Sequence, residues 1–115
     1  MMYVDFNAGG KDYKLRLNTR NIVALEKQIG CNPLMLFGMD EKNPRVPTFN
    51  EMVSVLHASL QQYQHNISLN DAYDIFDSYI EDGNAPTSFL AVIIEIYKVS
   101  GLMPEDAKEA QTEKN

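Results

Sequence analysis

Apolar residues recur along this chain with two different periods. Near the N-terminus they partly alternate, over Met2–Phe6 and again over Tyr13–Leu17, with Ala8-Gly9-Gly10 between. That pattern predicts two strands joined as a hairpin. From Asn18 onward the period lengthens to that of a helix. Ile22, Val23, Leu25 and Ile29 follow a capping Asn18 or Thr19 and stop at Gly30. Asn32-Pro33 opens a short helical turn, whose Leu34, Met35, Leu36 and Phe37 are expected to plug the core beneath the first helix. Gly38–Pro47 reads as a surface loop.

The stretch from Thr48 to Tyr79 predicts a helical hairpin. Phe49, Met52, Val53, Leu56, Leu60 and Tyr63 share one face, and Thr48 with Glu51 has the form of a capping box. The opposite, polar side carries Asn50, Ser54, His57 and Gln61. After a turn over Gln64–Ile67, Ser68 and Asp71 repeat the box. Leu69, Ala72, Tyr73, Phe76 and Ile80 then line a second face as far as Gly83.

A last helix is predicted from about Thr87 to Ser100, closed by Gly101. Phe89, Leu90, Val92, Ile93, Ile94, Ile96, Tyr97 and Val99 surround nearly its whole circumference. A helix apolar on all sides is either the central core helix or one that meets a partner. Beyond Pro104 no side chain is both apolar and larger than alanine, which predicts a disordered polar tail over 104–115. The fold class is therefore mainly α with some β: one domain over 1–103, an N-terminal two-stranded hairpin followed by four to five helices in a small bundle.

Charge narrows the partners. The net charge is -6 over 115 residues, and residues 46–97 hold seven Asp or Glu and no Lys or Arg. Binding to nucleic acid rests on cationic side chains that release counterions, so none is expected here. No apolar run approaches bilayer length, so no membrane partner is expected. One cysteine, Cys31, and no leader-like N-terminus point to a reducing compartment.

No residue set reads as catalytic. His57 and His65 are eight apart and lack the spacing of a helical metal pair. Asp71, Asp74, Asp77, Glu81 and Asp82 follow no calcium-loop pattern and read as a solvated face. Cys31 lacks an elbow or oxyanion loop and reads as a small buried hydrophobe. Neither a metal nor a cofactor is expected, and the chain is not read as an enzyme.

The wording of the chain adds a resemblance. Leu17–Lys27, then Gly30 and Asn32-Pro33-Leu34, resemble the opening of tail assembly chaperones of long-tailed, siphovirus-type phages and prophages of Gram-positive bacteria. The likeness continues through Leu56–Gln61, His65–Leu69, Tyr73–Ile80 and Ile93–Gly101, so it runs from about Tyr13 to Met103. The resemblance implies a non-enzymatic protein of the host cytoplasm, absent from the mature virion. Such a protein keeps the tape measure protein soluble while tail tube subunits assemble around it. The tail tube protein is then a further partner, and a homo-oligomer a further state. The surplus apolar surface on Phe89, Leu90, Val92, Ile93, Ile94, Ile96 and Val99 is the candidate client site. The alternative is a small self-associating prophage adaptor or regulator.

Overall fold

The computed structural model describes residues 2–38 and 45–104. Strands β1 (Val4–Ala8) and β2 (Lys11–Leu15) form an antiparallel hairpin in which Ala8 faces Lys11 and Val4 faces Leu15. Helices α1 (Thr19–Ile29), α2 (Phe49–Leu60), α3 (Leu69–Glu81) and α4 (Phe89–Val99) follow. Short 3-10 turns at Pro33–Phe37 and Pro86–Ser88 precede α2 and α4.

The strands sit two residues from the predicted ones, because the turn is tighter than expected. Only Gly9 and Gly10 form it, both at positive φ (60° and 78°). Two consecutive left-handed residues suit a hairpin turn whose twist matches the strands. Ala8 is thereby drawn into β1, where it is buried with Phe6 and Leu15 on the inner face.

The helix punctuation follows the sequence closely. The Asn18 side chain accepts from the Asn21 amide at 2.9 Å, and Gly30 ends α1 in the left-handed region. Asn32 accepts from the Leu34 amide at 2.9 Å, with Pro33 in the first turn. Both capping boxes close. Thr48 and Glu51 exchange bonds of 2.8 and 3.1 Å, and Ser68 and Asp71 exchange bonds of 2.9 and 3.0 Å.

The central element is α2. Helices α1, α3 and α4 and strand β2 all pack on it, while β1 lies over α3 and α4. Nine of its twelve residues are buried, including Ser59 and, from its supposed polar side, Ser54. A serine is small enough to sit where another helix approaches closely, so hydropathy alone misjudges that side. Ser59 spends its hydroxyl on the Leu56 carbonyl at 2.9 Å. His57 is half-buried and joins the Ile67 carbonyl at 3.1 Å, which fastens the turn between α2 and α3. Gln61 reaches the same carbonyl at 2.9 Å.

Three apolar positions lie elsewhere than expected. Phe49 is 57% exposed, because it stands in the first turn of α2 with its ring edge-on to Phe76 at 6.1 Å. Tyr73 is exposed because α3 is rotated so that Ala72, Ile75, Phe76 and Tyr79 face inward. Of the four residues after Pro33, only Leu36 is fully buried, and Leu34 is exposed. A 3-10 turn has three residues per revolution, so it directs one column of side chains inward. The Gly38–Pro47 loop is described only at Gly38 and from Arg45 onward, and of the polar tail only Pro104 falls among the described residues.

Phe6, Phe76, Tyr79 and Phe89 meet under the hairpin with ring centroids 5.0–6.0 Å apart. Edge-on aromatic pairs add roughly 0.5–1.5 kcal/mol each beyond their burial. This cluster ties α3 and α4 to β1.

Candidate functional site

Helix α4 carries the candidate residues, and contacts at both ends fix its rotation. At its start, Pro86–Ser88 form a 3-10 turn where the sequence predicted the first helical turn. Ser88 does not cap α4. Its backbone is already helical, and its hydroxyl is bonded to the Ala85 carbonyl at 2.6 Å and to the Tyr79 hydroxyl. Asn84 donates to the Tyr79 carbonyl at 2.9 Å, so the whole linker is fastened to the end of α3.

At the other end Arg16 supplies what a capping residue would. One guanidinium nitrogen donates to the Val99 carbonyl at 2.9 Å and to the Met2 carbonyl at 2.8 Å. A cation suits this position, because the last carbonyls of a helix carry partial negative charge. The Leu17 amide donates to the Ser100 hydroxyl at 2.9 Å. Tyr97 donates to the Pro33 carbonyl at 2.9 Å from inside the core. Burial, with Cys31 and Glu51 nearby, pushes its phenol well above the usual tyrosine range.

With α4 held this way, the seven candidates divide. Phe89, Ile93 and Ile96 are each 0% exposed, so in the folded chain they cannot touch a partner. They are core, and that part of the expected site is corrected. Leu90 and Val92 are half-buried and lean on the core from its edge. Ile94 and Val99 are also half-buried. Ile94 shares the outward side of α4 with Leu90, Ala91 and Lys98, by helical spacing. The structure thus brings Leu90 and Ile94 together at the surface and separates them from Phe89, Ile93 and Ile96.

The carboxylates of α3 and that of Asp82 just after it are exposed as expected, but Asp71 and Asp82 each make a structural contact. Asp71 closes the capping box, and its bonds to Ser68 hold its carboxyl below the ordinary aspartate range. Asp82 accepts from the Gly9 amide at 2.8 Å and so fixes the hairpin turn to the end of α3. The second contact joins residues far apart in the chain, and no local pattern announces it. Glu51 caps α2 and also receives Arg45 through both carboxylate oxygens at 3.0 Å. Among the described residues, no group of three His, Cys, Asp or Glu is placed to hold a metal ion. No helix among them is long and apolar enough to cross a membrane.

The family model of DUF6096, a family of unknown function, matches residues 4–115. No curated protein matches the chain. No solved structure matches it.

Proposed function

This chain belongs to the DUF6096 family, and we propose that it is a tail assembly chaperone of a phage or prophage, which binds the tape measure protein and keeps it soluble. Two things support the reading. One is the likeness of Tyr13–Met103 to such chaperones. The other, which carries it, is that α4 holds more apolar side chains than the fold buries. Leu90, Val92, Ile94 and Val99 stay partly exposed, on a helix whose inner side is already filled by Phe89, Ile93, Ile96 and Tyr97. An amphipathic client helix laid along the Leu90–Ile94 side would bury that remainder.

The test is co-expression with the tape measure protein. Ile94→Glu and Leu90→Glu are expected to fold and to lower the yield of soluble client. Ile93→Glu, one position away, is expected to unfold the chain, because it buries an unpaired charge. If the folded Ile94→Glu and Leu90→Glu variants solubilise the client as well as the parent does, the reading fails at this helix.

A further inference from the structure

Between β2 and α3 lies a cleft of about 420 Å³ that shares no residue with α4. Small ligands occupy clefts of this size. Its floor is apolar, because buried Ala8 and Ile75 line it. Its walls are polar. Lys11 and Tyr13 face it from β2, opposite Ala8 and Phe6 in the register and so on the inner side of the hairpin. Asp71, Asp74 and Ser78 face it from α3, on one stripe by helical spacing. Lys11 and Asp74 are exposed, and Tyr13 and Ser78 are half-buried. Among the described residues the ion pairs are Arg45–Glu51 and Lys98–Glu95. Lys11 and Asp74 therefore line one cleft without pairing to each other. Asp71 already gives one carboxylate oxygen to the Ser68 amide, so Asp74 is the acid left for a ligand.

The two ends of the cleft differ in charge. Gly9 lies against Ser78, so closely that a Cβ on the glycine would meet the Ser78 Cβ at 3.1 Å. Lys11 is two residues from Gly9, so a cation and a hydroxyl share the end near the turn. Asp74 stands one helical turn back from Ser78, roughly 6 Å along α3. Tyr13 stands two strand residues beyond Lys11, roughly 7 Å along β2. A carboxylate and an aromatic ring therefore share the far end. An anion alone would be repelled by Asp71 and Asp74, and a cation alone would be repelled by Lys11. We propose that the cleft binds a small zwitterion, an amino acid or dipeptide with an apolar side chain. Its carboxylate meets the Lys11 ammonium and the Ser78 hydroxyl. Its ammonium meets the Asp74 carboxylate beside the Tyr13 ring, whose face attracts a cation. Its side chain covers Ala8 and Ile75. The site uses neither Leu90 nor Ile94 and stands independently of the client site proposed above.

Amide chemical-shift titration of the full chain with L-leucine and with glycyl-L-leucine tests it. Saturable shifts are expected at Lys11, Tyr13, Asp74 and Ser78 with at least one probe, and the tighter probe sets the length of the ligand. Lys11→Met and Asp74→Asn alter exposed side chains, so both should keep the parent's thermal midpoint. Each should weaken binding by about tenfold, as expected when a hydrogen bond to a charged group is lost. Blocking one charge of the probe should weaken binding to the parent protein by a similar factor. N-acetyl-L-leucine keeps only the carboxylate, and L-leucine methyl ester keeps only the ammonium. These blocked probes need no variant, so a variant that misfolds leaves the test intact. The proposal is overturned if neither zwitterion gives saturable shifts at the cleft. It is equally overturned if the blocked probes bind as tightly as the zwitterions, or if the folded variants bind like the parent.

Discussion

The side chain of Gln64 completes the edge of β2 at Lys14. Its Oε1 accepts from the Lys14 amide at 2.8 Å, and its Nε2 donates to the Lys14 carbonyl at 2.9 Å. Lys14 faces Asp5 in the register, at a position whose backbone groups point away from β1. One side-chain amide therefore takes the place of a third strand for one residue. The same nitrogen also donates to the Leu60 carbonyl at 2.8 Å, so the end of α2 and the free edge of the hairpin are joined through a single group.

Replacing Gln64 with alanine removes that junction. The exposed Lys14 groups would turn to water, so the expected cost is about 1 kcal/mol, as for an ordinary hydrogen-bonded group. Amide exchange should accelerate at Lys14 more than at Phe6 or Leu15. Uniform acceleration across β2 would show that the edge is held by packing instead.

Tyr97→Phe leaves the buried Pro33 carbonyl without its donor. A loss of about 1–3 kcal/mol is expected in chemical denaturation. The pH dependence supplies a second check. The folded chain holds this phenol above its unfolded value, so the neutral form is favoured by folding. That stability is complete below the unfolded value, about 10, and falls as pH rises past it. The phenylalanine variant should lose less stability between neutral and strongly alkaline pH than the parent. Equal alkaline slopes would mean that Tyr97 is not what titrates.

Glu51 works in the opposite direction. Burial raises its carboxyl, but the Thr48 amide and the Arg45 guanidinium outweigh that and hold it below its usual value. A depressed carboxyl contributes stability above its unfolded value, which is lost as pH falls through the folded one. Glu51→Gln should therefore flatten the acid side of the stability profile, below about pH 4.5. Arg45→Met should flatten it less, because the capping bonds to Thr48 survive. A profile unchanged in Glu51→Gln would assign the acid sensitivity to other carboxylates.

The two turn glycines should differ when each is replaced by alanine. Both stand at positive φ, which costs an L-residue roughly 1–2 kcal/mol. A Cβ on Gly9 would also meet the Ser78 Cβ at 3.1 Å, whereas one on Gly10 meets nothing within 4 Å. Gly9→Ala is expected to be the more destabilising in thermal unfolding. The double change Gly9→Ala/Ser78→Gly should recover the excess if the Ser78 contact causes it, and should not if the turn alone does.

Local chemistry made most of the fold legible. Asn18, Asn32, Thr48 with Glu51, and Ser68 with Asp71 satisfy amides within three residues of themselves, so their signal lies within one turn of sequence. Gly30 and Gly101 follow the last helical residues for the same local reason. The candidate site was legible only in part. The sequence shows that α4 is apolar around most of its circumference, but not how much of it the rest of the chain covers. The Arg16 and Ser100 contacts that hold α4 are made across 83 positions, and no periodicity encodes them.

By itself the sequence determined where α1, α2 and α3 begin, that a glycine pair turns the hairpin, and that α4 is apolar around most of its circumference. Caps, turns and composition are properties of a few adjacent residues, so they survive without any knowledge of neighbours. Only the tertiary structure decided that α2 is the helix on which the others pack, that Phe49 and Tyr73 face outward, and that Ile93 is core while Ile94 is not. Burial depends on which elements pack against a face. A small serine can go inside a close helix contact, and a phenylalanine at a helix end can be left outside it.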